Sequence, residues 1–322
     1  MSGEREVLQR LARGAVSGDA LAREAGLTRA AMWKRIEALR EAGVEIDARA
    51  GRGYALRHPL ELLEADAIAD AMPAEARARV ASLEVAWSLD STNSELLRRD
   101  TPGHGMAVLL AERQTGGRGR RGRSWASPLA AHLYLSVARQ FSGGLARLGG
   151  LSLVAGVVAA EGLRDAGSSD VQLKWPNDLV VAGRKLGGLL VEGGGEHAGP
   201  VRAVIGLGIN VRMPAAAAAA IDQPWIDLAG LAEAPPSRNR LAAQLLSRLV
   251  SALDEFDDAG LVPFLDRYAR FDALAGREVM VHAGESRQFG TALGIGADGA
   301  LRVRVGGEER SFHAGEVSVR PQ

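Results

Sequence analysis

Apolar residues return at helical spacing near the amino end, with Val7, Leu8 and Leu11 on one face of residues 4–13. Ser17 then stands as an N-cap before GDALAREAG, which closes at Gly26, and Thr28 before RAAMWKRIEALREAG, which closes at Gly43. Two capped helices across a turn holding Gly26-Leu27 have the form of a helix-turn-helix. The period drops to two in VEIDARAGRGYAL, with Gly51-Arg52-Gly53 at a hairpin tip. Residues 1–58 thus predict a winged helix. Residues 59–82, rich in Ala and Glu with Pro59 and Pro73 as breakers, predict a linker with one short helix.

Strand and helix patterns alternate over residues 83–271 and predict a mixed α/β domain. The strands are LEVAWSL, MAVLLAE, AHLYLSV, VQLKW, DLVV, KLGGLLVE and AVIGLGINV, and the long helices LGGLSLVAGVVAAEGLRDAG and RNRLAAQLLSRLVSALDEFDDAG. The alanine run 215–220 is expected in a loop or one helical turn. Short alternating segments with Gly turns over residues 272–322 predict a small β-barrel, completing a multidomain α+β chain.

Length and composition narrow the chemistry. The chain has 322 residues, 47% of them hydrophobic, and zero formal net charge, so any nucleic-acid contact must come from a local patch. Residues 1–58 hold eleven Lys/Arg against eight Asp/Glu. Arg29, Lys34 and Arg35 on the third helix and Arg52 at the hairpin tip are placed to reach phosphates. A solvated helix face explains any one of them equally well; the set in this topology favours DNA. Trp33 either touches a base edge or packs inward. The chain has no cysteine, which excludes disulfides, thiolate metal sites and cysteine nucleophiles. No signal-peptide pattern and no apolar run of about 18 residues stands out, so a cytoplasmic protein is expected.

Three segments carry chemistry. The loop AERQTGGRGRRGRSWASP contains G-x-G-x-x-G as Gly117, Gly119 and Gly122, yet a strand and not a helix follows it, which rules out the dinucleotide-binding reading. What is left is a glycine loop with Arg113, Arg118, Arg120, Arg121 and Arg123 and no acid after Glu112. So dense a positive run suits an anion, a basic nucleic-acid patch being the alternative. In LKWPNDLVVAGRKLGG, Lys174 and Lys185 are expected on adjacent strands facing one pocket, separated by Asn177-Asp178. In SLDSTNSELLRR, Ser91 or Thr92 caps a helix, or Ser91, Thr92 and Asn93 face a polar ligand.

These blocks, with Gly206-Leu207-Gly208-Ile209-Asn210, resemble the biotin–protein ligases, and the amino-terminal winged helix resembles the bifunctional bacterial form that also represses the biotin operon. The resemblance implies a central catalytic domain of the biotin/lipoate ligase type and an SH3-like carboxy-terminal barrel. It implies that Ser91, Thr92, Asn93 and Gln114 hold biotin, and that Arg118, Gly119 and Arg120 close over it. Lys185 would contact the biotin carboxylate and the attacked phosphate, with Lys174, Arg118 and Arg120 sharing the catalytic charge. Lys174, Asn177, Asp178, Asn210, Trp225 and Arg320, the last beside Glu316, would take ATP and the adenylate. Thr28, Arg29, Trp33, Lys34, Arg35 and Arg52 would contact DNA. ATP, biotin and Mg²⁺ are expected, with unassigned metal ligands. So are a biotin carboxyl carrier protein of acetyl-CoA carboxylase, operator DNA and an adenylate-bound homodimer, with no membrane. A sensor without catalysis and a lipoate ligase relative are the alternatives.

Overall fold

A computed structural model describes residues 2–49, 51–142, 144, 148–195, 200–232, 235–283, 286–314 and 317–321. The first unit comprises α1 (Ser2–Ala12), α2 (Gly18–Glu24), α3 (Arg29–Glu41) and the hairpin β1 (Ile46–Arg49) and β2 (Gly53–Leu56). Ser17 Oγ accepts from the Ala20 amide and Thr28 Oγ1 from the Ala31 amide, so both caps form as expected. Gly26 ends α2 at φ +64°, a left-handed conformation that costs a residue with a Cβ. Met32, Ile36 and Leu39 bury one face of α3 against Leu8 and Leu11, and the other face is left to solvent.

The stretch expected to be a linker with one helix carries two, α4 (Ala65–Asp70) and α5 (Ala74–Arg77), and runs into β3 (Val80–Ala86). Its apolar residues explain the difference: Leu63, Ile68, Met72 and Ala76 belong to the central core. Beyond lie α6 (Thr92–Arg98), β4 (Met106–Ala111), β5 (Leu133–Phe141), α7 (Leu151–Asp165), β6 (Gln172–Lys174), β7 (Asp178–Val181), β8 (Arg184–Gly195) and β9 (Val201–Ile209). The alanine run makes one turn, α8 (Ala215–Ala218), and is followed by α9 (Arg238–Ala259) and α10 (Leu265–Ala269).

Seven strands form one sheet in the order β3-β4-β5-β9-β8-β7-β6, with only β3 and β4 parallel among its neighbours. Leu135, Leu189, Ile205 and Leu207 are buried in the core with Val154, Val158, Leu245 and Leu249 of α7 and α9. By strand alternation Ser136, Gly188, Leu190, Glu192, Gly206 and Gly208 share the opposite face, which α6 partly covers. The carboxy-terminal unit is a five-stranded antiparallel sheet, β10 (Glu278–Ala283), β11 (Ser286–Ile295), β12 (Leu301–Val305), β13 (Glu308–Phe312) and β14 (Val317–Pro321), ordered β13-β12-β11-β10-β14. Among the described residues no helix is long and apolar enough to cross a membrane.

The winged helix packs directly on the central domain. Leu129 and Ala130 join its apolar cluster, the Leu129 amide donates to the Ala42 carbonyl at 2.8 Å, and Trp87 Nε1 donates to Glu4 at 3.1 Å.

Candidate active site

One end of the glycine-bearing sheet face is a polar socket. Ser91 Oγ caps α6 at Ser94, which meets the bland expectation for this segment, yet Ser91, Thr92 and Asn93 are all buried. Ser136 Oγ lies 2.6 Å from both Thr92 Oγ1 and Asn93 Oδ1. The Thr92 amide and hydroxyl donate to Gln114 Oε1 at 2.8 and 3.1 Å. Asn93 Nδ2 donates to the Leu190 carbonyl and to Glu192 Oε2 at 3.0 Å. A Cβ on Gly206 would collide with the Asn93 amide, so glycine there is what lets the socket sit on the sheet.

The arginine loop leaves β4 beside this socket and folds on itself. The Gly119 amide donates to Arg123 O at 2.7 Å and the Trp125 amide to Gly117 O at 2.9 Å. Arg121, at φ 57°, and Gly122 turn its tip. The acids absent from the loop are supplied elsewhere: Arg118 pairs with Glu192 at 3.1 Å. Arg120 donates to Asn177 Oδ1 at 3.3 Å and to the Ala314 carbonyl. Burial, and then Arg121 and Arg123, hold the Arg120 pKa below its usual value.

Trp125 lies across the centre of the face. A Cβ on Gly208 would come within 2.7 Å of its indole, and one on Gly188 would touch both Trp125 and Lys185. Lys185 Nζ stands 5.5 Å from a Trp125 ring centroid and 2.6 Å from Asp178 Oδ1. The irregular register of β7 against β8 accompanies this turn of Lys185 toward Gly188. The two lysine strands are not adjacent, contrary to expectation: β7 intervenes, and Asp178 stands opposite Lys174 in the ladder while taking the Lys185 ammonium. Trp225 and Asn210 close this end. The Lys185 amide donates to Pro224 O, and Ile226 to Lys185 O, as an extra strand edge. Asn210 Nδ2 donates to the carbonyls of Lys185 and Ile226.

Arg118, Arg120 and Lys185 therefore do not ring one point. Arg118 meets β8 at Glu192, whereas Lys185 Nζ lies over Gly188 and Arg120 is bonded to Asn177 beside Leu189, three to four residues or roughly 10–13 Å along the same strand at about 3.3 Å per residue. The socket with Arg118 marks one end and Lys185, Asp178, Asn177 and Arg120 the other, where Trp125 lies on Gly188 and Gly208 beside the lysine. Arg320 lies on β14 opposite Met280, its side chain outside the described residues, as is Glu316. A cleft of about 670 Å³ beside α9, lined by Arg240, Arg248 and Arg267 among others, contains none of the expected residues.

On the winged helix, Thr28 at the N-cap and Arg29, Trp33 and Lys34 on α3 are exposed, and Arg52 is exposed at the hairpin tip. Trp33 is 54% exposed and so is not a core residue. Arg35 departs from the expected set: its guanidinium packs against Gly3 of α1.

Sequence reading missed Glu192 and Ser136. The signal was present, since each is a polar residue inside an apolar strand, LLVE and LYLSV.

Comparison with known proteins agrees with this architecture. The biotin/lipoate A/B protein ligase family matches residues 85–210, an HTH domain residues 4–55, and the biotin protein ligase C terminal domain residues 275–320. The "Bifunctional ligase/repressor BirA" of Salmonella typhimurium is 41% identical over 94% of this chain and 93% of its own, and that of Escherichia coli 40% identical over 94% and 92%. A biotin protein ligase from Aquifex aeolicus, solved with biotin and ATP, has a TM-score of 0.63 at 25% identity, covering 75% of this chain and all of that one. The chain belongs to the BirA family of bifunctional ligase/repressors.

Proposed function

We propose that this protein activates biotin with ATP to biotinyl-5′-AMP and transfers the biotinyl group to a lysine of a biotin carboxyl carrier protein of acetyl-CoA carboxylase. The observation that carries the proposal is the linear track on one sheet face. Its buried polar socket suits the ureido end of biotin, the glycine floor under Trp125 its ring and chain, and the cationic end the phosphates. A biotin carboxylate oxygen attacks the α-phosphorus of ATP, a P–O bond forms, and pyrophosphate leaves. Lys185, Arg120 and Lys174 hold the charge growing on the phosphate oxygens, and Arg118 holds the biotinyl end. The acceptor lysine amine then attacks the acyl carbon and AMP departs. The arginine loop and the Trp225 segment keep water from the mixed anhydride.

Among the described residues no three acidic or histidine side chains cluster as a metal site. Asp178 beside Asn177 fits Mg²⁺, which takes one or two carboxylates and completes its shell with phosphates and water. The ion, when bound, neutralises phosphate charge.

The exposed face of α3 with Arg52 supports a second activity, repression through operator DNA, with biotinyl-5′-AMP as corepressor. In this reading the adenylate favours a homodimer that lays two reading helices on a palindrome. The cytoplasm is the compartment that supplies ATP, carrier protein and operator together. Incubation with biotin, α-labelled ATP and a carrier domain tests the ligase: labelled biotinyl-AMP and then biotinylated carrier are expected, and absence of both overturns it. Operator retention that ignores biotin and ATP removes the corepressor.

A further inference from the structure

Glu192 ends the polar face of β8 and is reached by two different elements, although nothing in the reaction requires a carboxylate there. Asn93 of α6 donates to it at 3.0 Å, and Arg118 of the arginine loop pairs with it at 3.1 Å. Arg118 Nη2 also donates to Ser94 Oγ at 3.1 Å. The side-chain hydrogen bonds and ion pair of Arg118 among the described residues run through Nη2, which leaves donor protons on Nη1 and Nε for a ligand. Its side chain is 41% exposed on a loop with Gly116, Gly117 and Gly119 beside it. Such a side chain has much rotamer freedom to lose on binding.

We propose that Glu192 is a positioning residue for Arg118: it pins one guanidinium nitrogen against β8, so that the donors left on Nη1 and Nε are held ready for the biotinyl end of the adenylate before the ligand arrives. The inference rests on the ligase reading above. Holding a flexible cation in its bound geometry raises affinity by removing an ordering cost. Glu192 thereby acts on retention of biotin and its adenylate, while the phosphate chemistry proceeds at the other end of the track, on Lys185 and Arg120.

Glu192→Gln isolates the charge, because an amide oxygen still accepts from Asn93 Nδ2. The variant is expected to raise the biotin KM and the biotinyl-AMP dissociation rate about tenfold, the worth of one charge-assisted contact, while kcat for adenylation stays within about threefold. Glu192→Asp, which keeps the charge, restores most of the loss. Adding Glu192→Gln to Arg118→Gln changes dissociation no further, a coupling that a merely structural residue would not show. Equal dissociation from wild type and Glu192→Gln overturns the inference, as does full additivity of the two substitutions. If Glu192→Gln lowers the thermal midpoint, the Glu192→Asp comparison and the cycle at a lower temperature decide. A wild-type protein that forms no adenylate would instead strike the ligase reading.

Discussion

Glu112 and Arg238 meet at 2.7 Å with side chains only 1% and 5% exposed, an ion pair removed from water at the head of the arginine loop. Glu112 also accepts from the Leu63 amide at 2.5 Å. Arg238 donates to the carbonyls of His132, Ala130 and Glu61. Sheet, long helix and the segment after the winged helix are thus tied at one point. Removing one partner leaves the other charged and buried, so Glu112→Ala should lose about 3–5 kcal/mol of stability. Urea unfolding followed by circular dichroism measures it.

His132 is fully buried beside this pair, with Nδ1 accepting from the Val211 amide at 3.1 Å. Burial pushes its pKa down to about 3, and the positive charge of Arg238 adds to the effect. The unfolded chain takes up a proton near pH 6.5 and the folded chain does not. Stability is therefore complete above pH 6.5 and falls by ~1.4 kcal/mol per unit as pH drops from there toward 3. His132→Asn keeps an acceptor for Val211, and its melting temperature should change less between pH 7 and pH 5 than that of wild type.

At the phosphate end, Lys185→Gln should lower the rate of biotin-dependent pyrophosphate release by roughly 10²–10³ with an unchanged melting temperature, because it removes a preorganised charge at the transition state. A stopped-flow pyrophosphate assay separates this from any loss of biotin binding.

The glycine floor makes a steric prediction. Gly208→Val must displace Trp125, whose indole lies 2.7 Å from where a Cβ would stand. Calorimetry should then show biotin affinity reduced at least tenfold, while the core on the other side of the sheet still folds cooperatively.

For DNA, Lys34→Ala should reduce the salt slope of operator binding by about one, as loss of one phosphate contact does. Arg35→Ala, whose side chain rests on Gly3, should leave the slope unchanged. Titration of a labelled operator at several salt concentrations distinguishes them.

The sequence reading located the winged helix, the seven strands and both long helices, because caps and hydrophobic period are local signals. It placed Lys174 and Lys185 on neighbouring strands because the spacing of LKWPNDLVVAGRK says nothing about which strand lies between. Residues 59–82 looked like a tether since their burial depends on α9, some 170 residues away: the Glu64 amide meets Asn239. Glu192 stands out locally in LLVE, but its partners, Asn93 and Arg118, come from distant segments. Arginines crowded in one loop suggested a single charged centre. The sheet instead sets Arg118 at Glu192 and the Lys185 ammonium at Gly188, four residues apart on β8, a separation no local pattern encodes.

The amide of Leu129 rests on the end of α3, two residues beyond Ser127, whose hydroxyl accepts from Gln114 in the polar socket. A chain cut after residue 58 would strip the cover from Leu62, Leu129 and Trp87 and leave a bare greasy footprint at the base of the arginine loop. The catalytic half therefore shares part of its apolar surface with the winged helix. The end of α3 thus braces the segment that also carries Ser127 to Gln114.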